Sequence, residues 1–125
     1  MTVVFDTNVL VDHLCRREPA TATVLAAVRS GRRVTASVMS RVEVRRGSRA
    51  HQAEGIDELD VFIDWVPVDH AIAARAAAHA ERFGRTHGAD DVDFVVAATA
   101  ERLDADLLTR NVRDFPMFPD LEPPY

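Results

Sequence analysis

Four acids in this 125-residue sequence stand where strand ends would bring them together: Asp6, Glu43, Asp93 and Asp114. Asp6 closes a short apolar run, and Glu43 lies on a helix entered directly after a second such run. Asp93 falls in the first turn of the helix before the last strand-like segment, and Asp114 follows that segment by a short turn. Each has a simpler role available on its own. Asp6 can cap a helix starting at Thr7. Glu43 can pair with Arg46 one helical turn on. Asp93 can serve as N3 opposite an N-cap at Asp90, and Asp114 can close a turn after Asn111. If all four converge, their charges repel, and the cluster must take up a proton or a cation. An all-oxygen set suits a hard divalent ion, Mg²⁺ or Mn²⁺. Such an ion lowers the pKa of a bound water and offsets charge on a phosphodiester during in-line displacement. Thr7, Asn8, Thr109 and Asn111 are the neighbours expected to orient the carboxylates.

Other chemistries find less support. The five histidines and one cysteine show no zinc-ligand spacing. His79 and His87, which flank a helical stretch, are expected at the surface. A receiver domain or a haloacid-dehalogenase-like phosphatase would need a lysine to hold the phosphoryl group. This chain has no lysine, and Asn8 stands where a second aspartate would be. No P-loop, G-x-G-x-x-G or G-x-S-x-G occurs. Metal-dependent phosphodiester hydrolysis has the least against it.

The elements that must position these acids follow from periodicity. Residues 3–5 read as a buried strand, and residues 7–14 as a short helix. Pro19 suits the first turn of a second helix that stops at Gly31. Residues 33–38 are β-branched and alternating, hence a second strand. Ser37 or Ser40 caps the helix carrying Glu43. Residues 50–63 place Ile56, Leu59, Phe62 and Ile63 at helical spacing. Residues 65–69 form a short strand that Pro67 confines to an edge. Two further helices follow, one ended by Gly84 and Gly88 and one beginning near Asp90. Residues 105–109 make the last strand. Strands alternating with helices imply a parallel sheet covered on both faces, an α/β/α sandwich. Its crevice lies beyond the carboxyl ends of the strands.

Composition sets the outer bounds. The length suits one domain over residues 1–125. Apolar residues at 47% and charged residues at 28% describe an ordinary globule. No apolar run approaches the roughly 18 residues of a membrane span. With no secretory leader and a single cysteine, Cys15, a cytoplasmic protein is expected. The net charge of −5 argues against general nucleic-acid binding. All 15 basic residues are arginine, however, and Arg41, Arg45, Arg46 and Arg49 fall close together. They are either a phosphate-contacting patch or a solvated helix face.

Four segments carry a family resemblance: "VVFDTNVLVD", "SRVEV", "DFVVAATA" and "LLTRNVRDF". They resemble the signature segments of PIN-domain ribonucleases. The short single-domain format is similar to the VapC toxins of VapBC toxin–antitoxin modules. The likeness runs from about residue 3 to Phe118. One departure is that "SRVEV" lacks the threonine usual before the glutamate, with Arg41 and Val42 in that region. The resemblance implies an α/β/α sandwich and a Mg²⁺ or Mn²⁺ site built by Asp6, Glu43, Asp93 and Asp114. Asp91 is a further acid at that helix start. The activity implied is endonucleolytic cleavage of RNA, a tRNA or rRNA. A homodimer and a cognate VapB-like antitoxin are the implied partners. The alternative is a PIN-fold module that binds RNA or protein without cutting. A flap-type DNA nuclease would need a longer chain.

Overall fold

Val3, Val4 and Phe5 have no exposed surface. Three consecutive buried residues belong to a strand covered on both faces, and they form most of β1 (Thr2–Phe5) in this computed structural model. The structure describes residues 1–84 and 88–125. The other strands are β2 (Arg33–Ser37), β3 (Asp64–Val66) and β4 (Asp106–Leu108). They form one parallel sheet in the order β3-β2-β1-β4. The expected strand at residues 65–69 is therefore shifted and shorter. Pro67, with no N–H to give, ends it on the sheet's edge.

Among the described residues six helices connect the strands: α1 (Thr7–Leu14), α2 (Glu18–Arg29), α3 (Val38–Gly47), α4 (Ala53–Phe62), α5 (His70–Phe83) and α6 (Asp91–Arg102). The expected helix over 50–63 is split: Ala50–Gln52 is a 3-10 turn, and α4 follows it. Ser37, not Ser40, caps α3, its hydroxyl accepting from the Met39 N–H at 3.1 Å. The α2 helix ends at Arg29 with Ser30 as its C-cap, and Gly31 takes φ +77, which costs glycine no Cβ clash. None of the described helices is long and apolar enough to cross a membrane.

Val3 and Phe5 point into a core shared with Leu10 of α1, Val24 of α2, Val44 of α3 and Ile56 and Leu59 of α4. Val4 points the other way, toward Val96 and Ala100 of α6, Leu107 and Phe115. This alternation along β1 produces the three layers. Outside α6 lies α5, joined through Ile72, Ala76, Phe94 and Ala98. Asp69 caps α5 by accepting from the Ile72 N–H at 2.8 Å. Asp69→Ala is expected to cost about 1 kcal/mol in urea unfolding, with no change at the strand ends.

His79 overturns its surface expectation. It is buried between α5 and α6, where its Nε2 meets Glu101 Oε1. Arg75 forks onto the other Glu101 oxygen at 3.2 and 2.7 Å. Burial alone would raise the Glu101 pKa, but these two partners hold it below the usual range. His87 lies outside the described residues.

Candidate active site at the carboxyl edge of the sheet

The sheet's register brings the first two functional groups together. Phe5 pairs with Leu108, and the Asp6 N–H continues the ladder to the Leu108 carbonyl at 2.9 Å. The next residues, Asp6 and Thr109, thus stand side by side at the carboxyl ends of β1 and β4. Both are buried, and the Thr109 hydroxyl donates to Asp6 Oδ2 at 2.7 Å. Asn8, in the first turn of α1, donates its amide to the same oxygen at 2.9 Å and to Thr109 Oγ1 at 3.2 Å. Its carbonyl accepts from the Arg110 N–H at 3.0 Å. Asp6 Oδ1 accepts from the Thr7 N–H at 2.8 Å and so caps α1. The cap role is real, yet it does not use up the carboxylate. About four acceptor positions are available on its two oxygens, and three donors reach them.

The other acids arrive on separate elements. Packed against both α1 and α6, α3 carries Glu43, whose Oε1 accepts from the Thr7 hydroxyl at 2.6 Å. Among the described residues no ion pair ties Glu43 to Arg46. At the start of α6, Asp90 and Asp93 form a capping box. Asp93 N–H donates to Asp90 Oδ1 and Asp90 N–H donates to Asp93 Oδ2, each at 3.0 Å. Asp91 is exposed beside them. Asp114 ends a 3-10 turn, Val112–Asp114, held by its own N–H on the Asn111 carbonyl at 3.0 Å. Asn111 supports the site through its backbone, donating N–H to Thr109 Oγ1 at 3.1 Å.

Electrostatics tie these acids to one another. Burial pushes the Asp6 carboxyl above its usual range, against the Thr109, Thr7 and Asn8 donors, and the Glu43 charge adds to the rise. Asp93 is raised to about 7. Burial is the main cause, the Asp90 N–H opposes it, and the charges of Asp90, Asp6 and Asp114 add to it. The set is all oxygen, partly desolvated and mutually repelling, which fits a hard divalent cation. No three of the described His, Cys, Asp or Glu side chains are close enough to hold a metal alone. Water would complete the shell, as Mg²⁺ commonly requires.

A pH dependence follows for metal-free protein. The folded state binds the Asp93 proton more tightly than the unfolded chain does. Stability is therefore lost as pH rises from about 4 through about 7. Asp93→Asn removes this cost and keeps an oxygen for the Asp90 N–H. Its benefit is expected to be larger at pH 8 than at pH 5, by about 1 kcal/mol after screening at a half-exposed site. Urea unfolding of chelated protein at the two pH values measures it; a benefit independent of pH would contradict it.

The arginine cluster divides. Arg41 forks onto Asp60 of α4 at 2.9 and 3.0 Å and lies 5.9 Å from the Trp65 ring centre. It is committed to joining α3, α4 and β3. Arg45, Arg46 and Arg49 are exposed. A residue not singled out from the sequence, Asp12 of α1, is buried, accepts from Arg17 and Tyr125 and pairs with the Arg110 guanidinium. Its only sequence signal is an acid within the largely apolar α1.

Comparison with known proteins bears on the family and the fold. Residues 3–119 match the PIN domain family. Ribonuclease VapC19 of Mycobacterium tuberculosis is 45% identical over 122 residues, covering 96% of this chain and 97% of that protein. Ribonuclease VapC10 of the same organism is 33% identical, covering 98% and 92%. A toxin–antitoxin complex from Klebsiella pneumoniae superposes with a TM-score of 0.83 at 26% identity, covering 99% of this chain and 98% of that one. The chain belongs to the PIN-domain family and, within it, to the VapC proteins.

Proposed function

We propose that this chain is the toxin of a VapBC-type pair, a Mg²⁺-dependent endoribonuclease neutralised by a VapB-like antitoxin. The carrying observation is Asp6, buried at the tip of a central strand and held by three donors, with Glu43, Asp93 and Asp114 near enough for charge to matter. The ribonuclease names of the VapC relatives support the substrate. Asp6 and Asp93 would be the main ligands for Mg²⁺ or Mn²⁺, with Glu43 and Asp114 completing the set. The ion, when bound, would activate a water and offset charge on the scissile phosphate.

The protein's own residues prepare that site. Asn8 and Thr109 fix Asp6 Oδ2, Thr7 fixes Glu43, and the Asp90 N–H fixes Asp93. Fixed donors need no reorganisation as charge develops. Arg45, Arg46 and Arg49 are available for the phosphates of a folded RNA such as tRNA or rRNA. Between α1, α2 and α4 runs an open groove of about 1230 Å³, with Leu14, Leu25 and Gly55 among its lining residues. Its lining mixes apolar Leu14, Ala22 and Leu25 with charged Arg16, Glu18 and Glu58, a surface an antitoxin segment would cover. A cytoplasmic homodimer is the form expected from the family.

The test is brief induction in cells followed by mapping of RNA 5′ ends. New ends at defined sites should appear with the wild type, vanish with Asp6→Asn, and be suppressed by co-expressed antitoxin. The same ends with Asp6→Asn would sink the proposal.

A further inference from the structure

Asp12 is, with Asp6, one of the two buried acids among the described residues, at 6% and 4% exposure. It lies on α1, six residues beyond Asp6, and contributes nothing directly to the acid cluster. Its Oδ2 forms an ion pair with Arg110 Nε at 2.9 Å and accepts from the Tyr125 hydroxyl at 2.7 Å, and its Oδ1 accepts from Arg17 Nη1 at 3.2 Å. Arg17 is a local partner that braces the α1–α2 turn, where its N–H already meets the Asp12 carbonyl at 3.0 Å. Arg110 and Tyr125 come from the far end of the chain. A buried carboxylate with cationic partners is weak evidence for stability as such, because desolvation offsets much of the attraction. What Asp12 gains is placement.

The placement leads straight to Asp6. Arg110 follows Thr109, so holding its guanidinium holds the turn that leaves β4. Its N–H donates to Asn8 Oδ1 at 3.0 Å, and Asn8 in turn donates to Asp6 Oδ2 at 2.9 Å. Tyr125 secures the other side. Phe118 and Leu121 pack with the α6 face of the sheet, whereas Tyr125 packs with the α1 face. The segment between them therefore wraps the β4 edge and ends on the same carboxylate.

We propose that Asp12 is a positioning residue of the nuclease centre, clamping Arg110 and Tyr125 to α1 so that Asn8 and Thr109 stay aimed at Asp6. The clamp rests on the ribonuclease reading above. Removing a group that orients a ligand typically costs about 10–100-fold in metal affinity or activity. The test compares RNA cleavage and the Mn²⁺-induced rise in melting temperature across wild type, Asp12→Asn, Arg110→Gln, the double variant and Tyr125→Phe. Asp6→Asn and Arg75→Ala are the references; Arg75→Ala removes an exposed ion pair on the far layer.

Asp12→Asn should lower kcat by about tenfold or more while KM moves less than about twofold, and should shrink the Mn²⁺ response. The double variant should be no worse than the poorer single, because both changes break one link. Tyr125→Phe, which deletes a single hydroxyl, should show a smaller loss in the same direction and covers the case in which Asp12→Asn folds poorly. Wild-type kcat in both Asp12→Asn and Tyr125→Phe, with Asp6→Asn inactive, overturns the clamp alone. Additive losses in the double variant, or a kcat loss no larger than that of Arg75→Ala, also overturn it. Wild-type cleavage by Asp6→Asn overturns the ribonuclease site and the clamp with it.

Discussion

Asp6→Asn and Asp93→Asn should each lower RNA cleavage by at least about a hundredfold, the scale seen when a fixed electrostatic contact to a reacting centre is removed. The two substitutions nearly preserve shape. Asparagine at position 6 keeps an oxygen for the Thr7 N–H, while the Thr109 hydroxyl, which already accepts from Asn8 and Asn111, loses its acceptor. Asn8 loses an acceptor. Folding should survive, because burial already disfavours the charged form of both acids. Charge is what the variants lose, and with it the attraction for the divalent cation proposed above. Cleavage rates of purified variants, taken with their melting temperatures, separate the two effects. Near-normal rates in either variant would remove that acid from the centre.

The largest effect on stability is expected from Phe115→Ala, at about 3–5 kcal/mol. The ring is fully buried among Val4, Val96, Ala97, Ala100 and Leu107, so its removal leaves a cavity in the α6 face of the core. A loss of that size takes up much of the roughly 5–15 kcal/mol that keeps an ordinary domain folded. It also removes the side-chain anchor next to Asp114, since Phe115 directly follows that acid and its ring packs in the core. Urea unfolding should show the loss. Cleavage measured well below the unfolding midpoint should fall as well, because the turn that carries Asp114 loses its anchor in the core. A stability change below about 1 kcal/mol would mean the ring fills no essential space.

Much of this arrangement was legible from residue order. Val3 to Phe5 could only be a strand buried on both faces, and a strand there delivers Asp6 to the sheet's edge. Pro67 marked β3 as an edge strand, and the capping pattern at Asp90 and Asp93 announced the start of α6. Local chemistry decides such features, so local sequence records them. Features decided by distant partners were not legible. Arg41 read as either a phosphate contact or part of a solvated helix face until Asp60 and Trp65 were placed beside it. His79 looked like a surface residue until α6 brought Glu101 against it. Asp12 was not singled out at all, and only the return of Arg110 and Tyr125 shows why it is buried. The break at residues 50–52 was also hidden, because a 3-10 turn and a helix share much of their apolar spacing.

The central claim is that the acids at the carboxyl ends of the strands cut RNA with the help of a divalent cation. It is tested most directly by cleavage of a labelled structured RNA by purified, chelated protein as Mg²⁺ is returned. The account predicts no cleavage in chelator and recovery as Mg²⁺ is added, with Asp6→Asn inactive throughout. Cleavage that persists undiminished in chelator would contradict it.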